Sequence, residues 1–193
     1  MLEYKGVYMK NKNWKDISYL NYGNVKQKKI YEILINTKVL DILNDYIPIL
    51  VGTIPIEIDI ENSDIDIVCK VDNFDVFEEV LVSNFRKYIN FKITHKEDKV
   101  LVCSFIVNDI QIEIYGSNED TDKTNGYRHM IIEDRLINLY GEAFKKEIIS
   151  LKIKGLKTEP AFAKVLNLQG NPYEQLLVLE MYSDEELYKM YTK

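Results

Sequence analysis

Residues Ser63-Asp64-Ile65-Asp66-Ile67 alternate acids with large apolar side chains. A strand repeats every two residues, so Asp64 and Asp66 point one way while Ile65 and Ile67 point the other. Two carboxylates roughly 7 Å apart along one face repel each other and are costly to bury without a cation. A divalent metal resolves that cost. Upstream, Gly52-Thr53 ends the apolar run Ile47-Pro48-Ile49-Leu50-Val51. Two acids on one strand face with a glycine turn nearby suggest metal-assisted phosphoryl or nucleotidyl transfer.

The chain can build a core around such a strand. It has 193 residues, 46% hydrophobic and 29% charged, which suits one domain or a compact pair of subdomains. With 8 Gly and 4 Pro, long flexible linkers are not expected. A net charge of −6 argues against broad, sequence-blind binding to nucleic acid. Cys69 and Cys103 fall in apolar, strand-like runs and read as reduced core residues, with no Cys-x-x-Cys spacing for zinc. Met1-Leu2-Glu3-Tyr4-Lys5 shows no apolar leader, and no run approaches a membrane span, so no membrane partner and a cytoplasmic location are expected.

Apolar spacing predicts helix from about 24 to 46, with a possible break at Thr37. Ile47 to Val51 reads as a short buried strand. Ile54, Ile56, Ile58 and Ile60 alternate with other residues in the manner of a half-exposed strand, and Ser63 to Val71 reads as a central strand. Asp72-Asn73 caps a helix from about Phe74 to Tyr88. Strands are expected at Phe91–Thr94, Val100–Val107 and Ile110–Tyr115, the last two joined by an Asn108-Asp109 turn. His95, beside Lys96-Glu97-Asp98-Lys99, reads as an exposed turn residue. From Tyr127 onward the pattern is helical. Thr158-Glu159-Pro160, Asn171-Pro172 and a capping box at Ser183-Asp184-Glu185-Glu186 mark helix starts.

In the strand Ile110–Tyr115, Glu113 shares a face with Gln111 and Tyr115. If that face matches the one carrying Asp64 and Asp66, three carboxylates converge on one sheet surface. Hard divalent cations take oxygen ligands, and two such ions roughly 4 Å apart would clamp the attacking and leaving oxygens of an in-line displacement. Gly52 allows the backbone close approach to a phosphate, and Thr53 adds a hydroxyl.

Gly52-Thr53, the spacer 54–63, the Asp64-x-Asp66 strand and a third acid on a later strand resemble the nucleotidyltransferase superfamily of aminoglycoside nucleotidyltransferases and DNA polymerase beta. Ser63-Asp64-Ile65-Asp66-Ile67 is similar to the Ser-Asp-Leu-Asp-Leu form of the aminoglycoside branch. More narrowly, the chain resembles a family of small, uncharacterised bacterial nucleotidyltransferase-like proteins. The stretches carrying that resemblance are Tyr19-Leu20-Asn21-Tyr22-Gly23-Asn24, Gly52-Thr53-Ile54-Pro55-Ile56, Tyr127-Arg128-His129-Met130 and Lys157-Thr158-Glu159-Pro160-Ala161-Phe162-Ala163.

The resemblance implies an α/β (α+β) fold: a mixed sheet at 47–116 flanked by helices, an N-terminal helical segment at 1–46, and a C-terminal helical segment at 117–193 closing the cleft. It implies two Mg2+ ions, a nucleoside triphosphate and a hydroxyl acceptor that the family does not identify. Asp64, Asp66 and Glu113 would bind metal and catalyse. Gly52, Thr53 and Ser63 would hold phosphate, with Arg128, His129 and Lys157 as further phosphate candidates. Two departures are visible: Thr53 stands where Ser is common, and Glu113 where Asp is.

Competing readings attach to these residues. Asp64 and Asp66 alone also fit a solvated acidic strand face, and Glu113 an exposed hairpin acid. Arg128 and His129 fit a surface ion pair. Lys157-Thr158-Glu159 fits a plain helix start. Glu57, Asp59 and Glu61 read as solvent-facing. The alternative function is a catalytically silent fold that binds nucleotide or a protein partner in a regulatory or antitoxin-like role. The sequence leaves the oligomeric state open.

Overall fold

Five strands form one mixed sheet in this computed structural model, which describes residues 12–96 and 99–191. The expectation for the first five residues lies outside them. The strands are β1 (Ile49–Val51), β2 (Ile65–Lys70), β3 (Ile89–Lys96), β4 (Val100–Val107) and β5 (Ile110–Ser117), in the order β1-β2-β5-β4-β3. β2 and β5 run parallel, and every other pair is antiparallel. β4 and β5 join through Asn108 and Asp109, both at positive φ, as a tight right-twisted hairpin turn demands.

Helices α1 (Ser18–Tyr22), α2 (Val25–Thr37), α3 (Val39–Ile42) and α4 (Phe74–Phe85) accompany the sheet. The expected break near Thr37 falls at Lys38, which takes the left-handed conformation between α2 and α3. Asn73 caps α4 by accepting from the Val76 amide. Leu50, Ile67, Ile114, Cys103 and Ile93 are register partners across all five strands. With Ile65, Ile112 and Phe105 they meet Leu20, Ile30, Ile33, Phe77 and Leu81 in one apolar cluster. Cys69 and Cys103 are buried free thiols within it, and burial pushes Cys103 up to about 12.

Two expectations need correction. Ile54 to Ile60 is not a strand but a chain of turns with no ladder partner. Its alternation comes from Ile54, Ile56 and Ile58 packing inward from irregular backbone while Glu57, at φ 59, turns outward. His95 is not in a turn: it lies in β3, opposite Leu101, with Nε2 2.9 Å from Glu78.

The chain divides into two compact units. One holds Asn13–Glu57 and Glu61–Tyr127, with the sheet. The other holds Ile58–Ile60 and the residues from Arg128 onward. The second unit takes most of α5 (Asn125–Ile153), then α6 (Thr158–Val165), α7 (Pro172–Val178) and α8 (Asp184–Tyr191). α5 is kinked at Gly141, whose φ of 79 and ψ of −169 leave the helical region. Phe144 is central here, with Phe162, Tyr140 and Tyr191 rings 4.8–5.6 Å away. The start of α8 closes as a reciprocal capping box between Ser183 and Glu186. No helix among the described residues is long and apolar enough to cross a membrane.

Candidate functional site

One row of register partners crosses the sheet face opposite the apolar cluster: Val51, Asp66, Glu113, Ser104 and Lys92. Partners on parallel strands point the same way, with backbones roughly 5 Å apart. Asp66 on β2 and Glu113 on β5 therefore stand side by side, although 47 residues separate them in sequence. Both are half-buried. Asp64 lies in the connection just before β2, one pleat from Asp66, rather than inside the strand. Its carboxyl is pushed above the usual carboxylate range by burial, and the Lys26 ammonium opposes that shift.

The turn after β1 is fitted to Asp66. Gly52 adopts φ +80, and a Cβ there would sit 2.5 Å from the Asp66 Oδ2. Glycine is required twice, by backbone conformation and by the carboxylate beside it. Thr53 Oγ1 donates to Ser63 Oγ at 3.4 Å, bringing the two ends of the spacer together. Nearby on the same face, Val51 and Val68 reach the first turn of α5, where a Cβ on Gly126 would lie 3.6 Å from each.

Lys70, two pleats beyond Asp66, binds Asp120 at 2.6 Å. Lys123 and Lys70 together hold the Asp120 carboxyl down at about 2. Tyr115, which pairs with Val68 and Val102, has its phenol raised by burial and by Glu119.

Carboxylate oxygens are the donor chemistry a hard divalent cation uses, and Asp66, Glu113 and Asp64 carry such oxygens beside the Gly52 turn. Among the described residues, no three His, Cys, Asp or Glu side chains are drawn together tightly enough to hold a metal as they stand.

The other candidates belong to the helical unit, where Arg128 and His129 are engaged. Arg128 makes a forked contact with Glu180, its Nη2 2.7 Å and its Nε 3.2 Å from the carboxylate. His129 is buried, with Nε2 2.9 Å from the Tyr173 carbonyl and Nδ1 3.5 Å from Glu159. The Nε2 contact requires the proton on Nε2. Lys157 is the exposed N-cap of α6 and makes no side-chain cap.

Sequence reasoning missed three residues. Gln27 is 1% exposed and donates to the Ile54 carbonyl. Lys26 donates to the Glu61 carbonyl. The spacing Asn24-x-x-Gln27 is a capping-box signal that would have drawn attention to Gln27. Glu133 is the third: it is 3% exposed in the helical unit, and its Oε1 has no hydrogen-bond partner.

The chain has the nucleotidyltransferase fold. It matches a solved cytoplasmic RNA terminal U-transferase with TM-score 0.52 and 15% identity, covering 84% of this chain and 49% of that one. It also matches the Cid1 poly(U) polymerase with Mg 3'-dATP bound, at TM-score 0.53 and 14% identity, covering 84% and 52%. This chain spans about half the length of those proteins. No curated protein matches the sequence. Residues 32–179 match the family described as a domain of unknown function (DUF4269), and the chain belongs to that family.

Proposed function

We propose that this protein is a Mg2+-dependent nucleotidyltransferase that moves a nucleoside monophosphate from a nucleoside triphosphate to a hydroxyl acceptor. The observation that carries the reading is the pairing of Asp66 with Glu113 on one face beside the Gly52 turn. The Cid1 structure of the same fold, which carries Mg and 3'-dATP, supports it.

Asp64, Asp66 and Glu113 would hold two Mg2+ ions. When bound, Mg2+ supplies charge stabilisation at the phosphoryl oxygens. Gly52 would bring its backbone to the phosphates, with the Thr53 and Ser63 hydroxyls beside it. Glu113 accepts the proton of the acceptor hydroxyl as that oxygen bonds to the α-phosphorus. The bond from the α-phosphorus to its bridging oxygen breaks, and pyrophosphate leaves with that electron pair. Arg128 and His129 hold the helical unit through Glu180 and Tyr173, so phosphate binding rests on the sheet unit.

A thermal shift with Mg2+ and each triphosphate tests this. Ligand at 100 times its dissociation constant stabilises by about 2.7 kcal/mol. Absence of any shift would sink the reading. A second reading is a catalytically silent fold that binds nucleotide or a protein partner. Pyrophosphate release separates the two: binding with no pyrophosphate released from the triphosphate, whatever hydroxyl acceptor is present, supports the silent fold.

A further inference from the structure

The first turn of α2 grips both ends of the segment that separates the Gly52 turn from Asp64. At its start, Gln27 Nε2 donates to the Ile54 carbonyl at 2.9 Å. At its end, Lys26 Nζ donates to the Glu61 carbonyl at 3.2 Å. Gln27 is itself fixed. Its Oε1 accepts from the Asn24 amide at 3.1 Å, while the Gln27 amide donates to Asn24 Oδ1 at 2.9 Å. Because Oε1 faces an N–H donor, Nε2 must face the carbonyl. A Cβ on Gly23 would overlap the Gln27 side-chain amide, so the chain before the helix is cut away for it. A buried glutamine with both ends of its amide satisfied by backbone is more than a helix cap, since one of those bonds reaches 27 residues away.

We infer that Gln27 is a positioning residue. It acts through the Ile54 carbonyl to hold the Gly52-Thr53 turn in the conformation that receives the triphosphate. This rests on the nucleotidyltransferase reading of the site. Gln27→Met keeps the volume but leaves the Asn24 amide without its partner and the Ile54 carbonyl with only the Glu57 amide, 3.3 Å away. Gln27→Glu keeps the acceptor for Asn24 and supplies a donor to Ile54 only when its carboxyl is protonated. Asn24→Ala removes the cap side chain and leaves the Ile54 bond in place.

The test is calorimetric titration of the full chain with ATP, GTP, CTP and UTP in Mg2+, together with amide hydrogen exchange of the nucleotide-free protein. Gln27→Met is expected to weaken triphosphate binding about tenfold or more, as loss of a buried hydrogen bond implies. It should also speed exchange at the amides of residues 53–57, Pro55 having none, while β4 and β5 stay protected. Gln27→Glu should recover toward wild type as pH falls from about 8 to about 5, a profile a mere packing role would not give. Asn24→Ala should bind as wild type does. Wild-type binding with unchanged affinity in Gln27→Met, or unchanged exchange at 53–57 in both Gln27 variants, overturns this inference alone. A wild type that binds no triphosphate overturns the reading of the site and this inference with it.

Discussion

The sheet unit and the helical unit handle charge in opposite ways. On the sheet, Asp66 and Glu113 stand abreast, and Asp64 sits one pleat away. Three like charges on one surface are a destabilising arrangement. In the helical unit, charged side chains secure packing. Arg128 grips Glu180, Arg135 binds Asp184 at 2.6 Å and the Tyr182 carbonyl, and Lys152 donates to the Ile58 carbonyl at 2.7 Å. One unit sets like charges abreast at its proposed site and keeps its Lys70–Asp120–Lys123 ion pairs elsewhere, while the other uses opposite charge to lock helices. Glu133 is the exception in the helical unit, a fully buried acid with an unpartnered oxygen.

Substitutions can break this contrast, and the largest effect is expected at the sheet. If Asp64 and Asp66 hold Mg2+ as proposed, Asp66→Asn combined with Asp64→Asn should weaken Mg2+-dependent triphosphate binding by about a hundredfold or more. The double variant should keep its melting temperature to within a few degrees, since Asn matches Asp in shape. Calorimetry and thermal unfolding read both, and metal-dependent binding that survives would remove these acids from the site. Gly52→Ala should destabilise the sheet unit by about 1–3 kcal/mol through strain at positive φ. Crowding of Asp66 adds to that, and urea unfolding would reveal it.

Glu133 sharpens the contrast from the other side. Burial, then the Glu159 carboxylate, raises its carboxyl well above the ordinary 4.5, while Lys152 works against them. The folded state thus keeps a proton that the unfolded state releases. The stability this contributes is full below about pH 4.5 and is lost as pH rises through the folded value. Glu133→Gln should flatten that slope and be more stable than wild type in alkaline buffer. Urea midpoints measured across the pH range should converge at acid pH and part at alkaline pH. Equal slopes in both proteins would mean Glu133 is not held neutral.

Smaller effects fall on the locks. Arg135→Ala should cost about 1.5–3 kcal/mol, typical of hydrogen bonds to a charged group, because Arg135 and Asp184 are largely covered. Ser183→Ala removes one half of the α8 capping box and should cost about 1 kcal/mol. Thermal unfolding of each single variant checks the order.

Much of this arrangement was legible residue by residue. Val100–Val107 is a strand over the expected span, α6 begins at Thr158 as expected though without a side-chain cap, and the starts at Asn171 and Ser183 fall where cap chemistry puts them. Those features depend on neighbours within four residues, which the sequence displays. The isoleucines of 54–60 misled because alternation reports which side chains are buried, not whether a partner strand supplies hydrogen bonds. Gln27 was passed over because its partner is a backbone carbonyl, and every residue type carries one.

By itself, the sequence determined the faces of β2 and β5 and the helix caps at Asn73, Asn171 and Ser183, since each follows from local geometry and side-chain chemistry. The tertiary structure alone decided that β5 inserts parallel beside β2 with Asp66 opposite Glu113, and that α2 reaches Ile54 and Glu61. Strand order and register are chosen by burial of one whole sheet face against α1, α2 and α4, a property of no single segment.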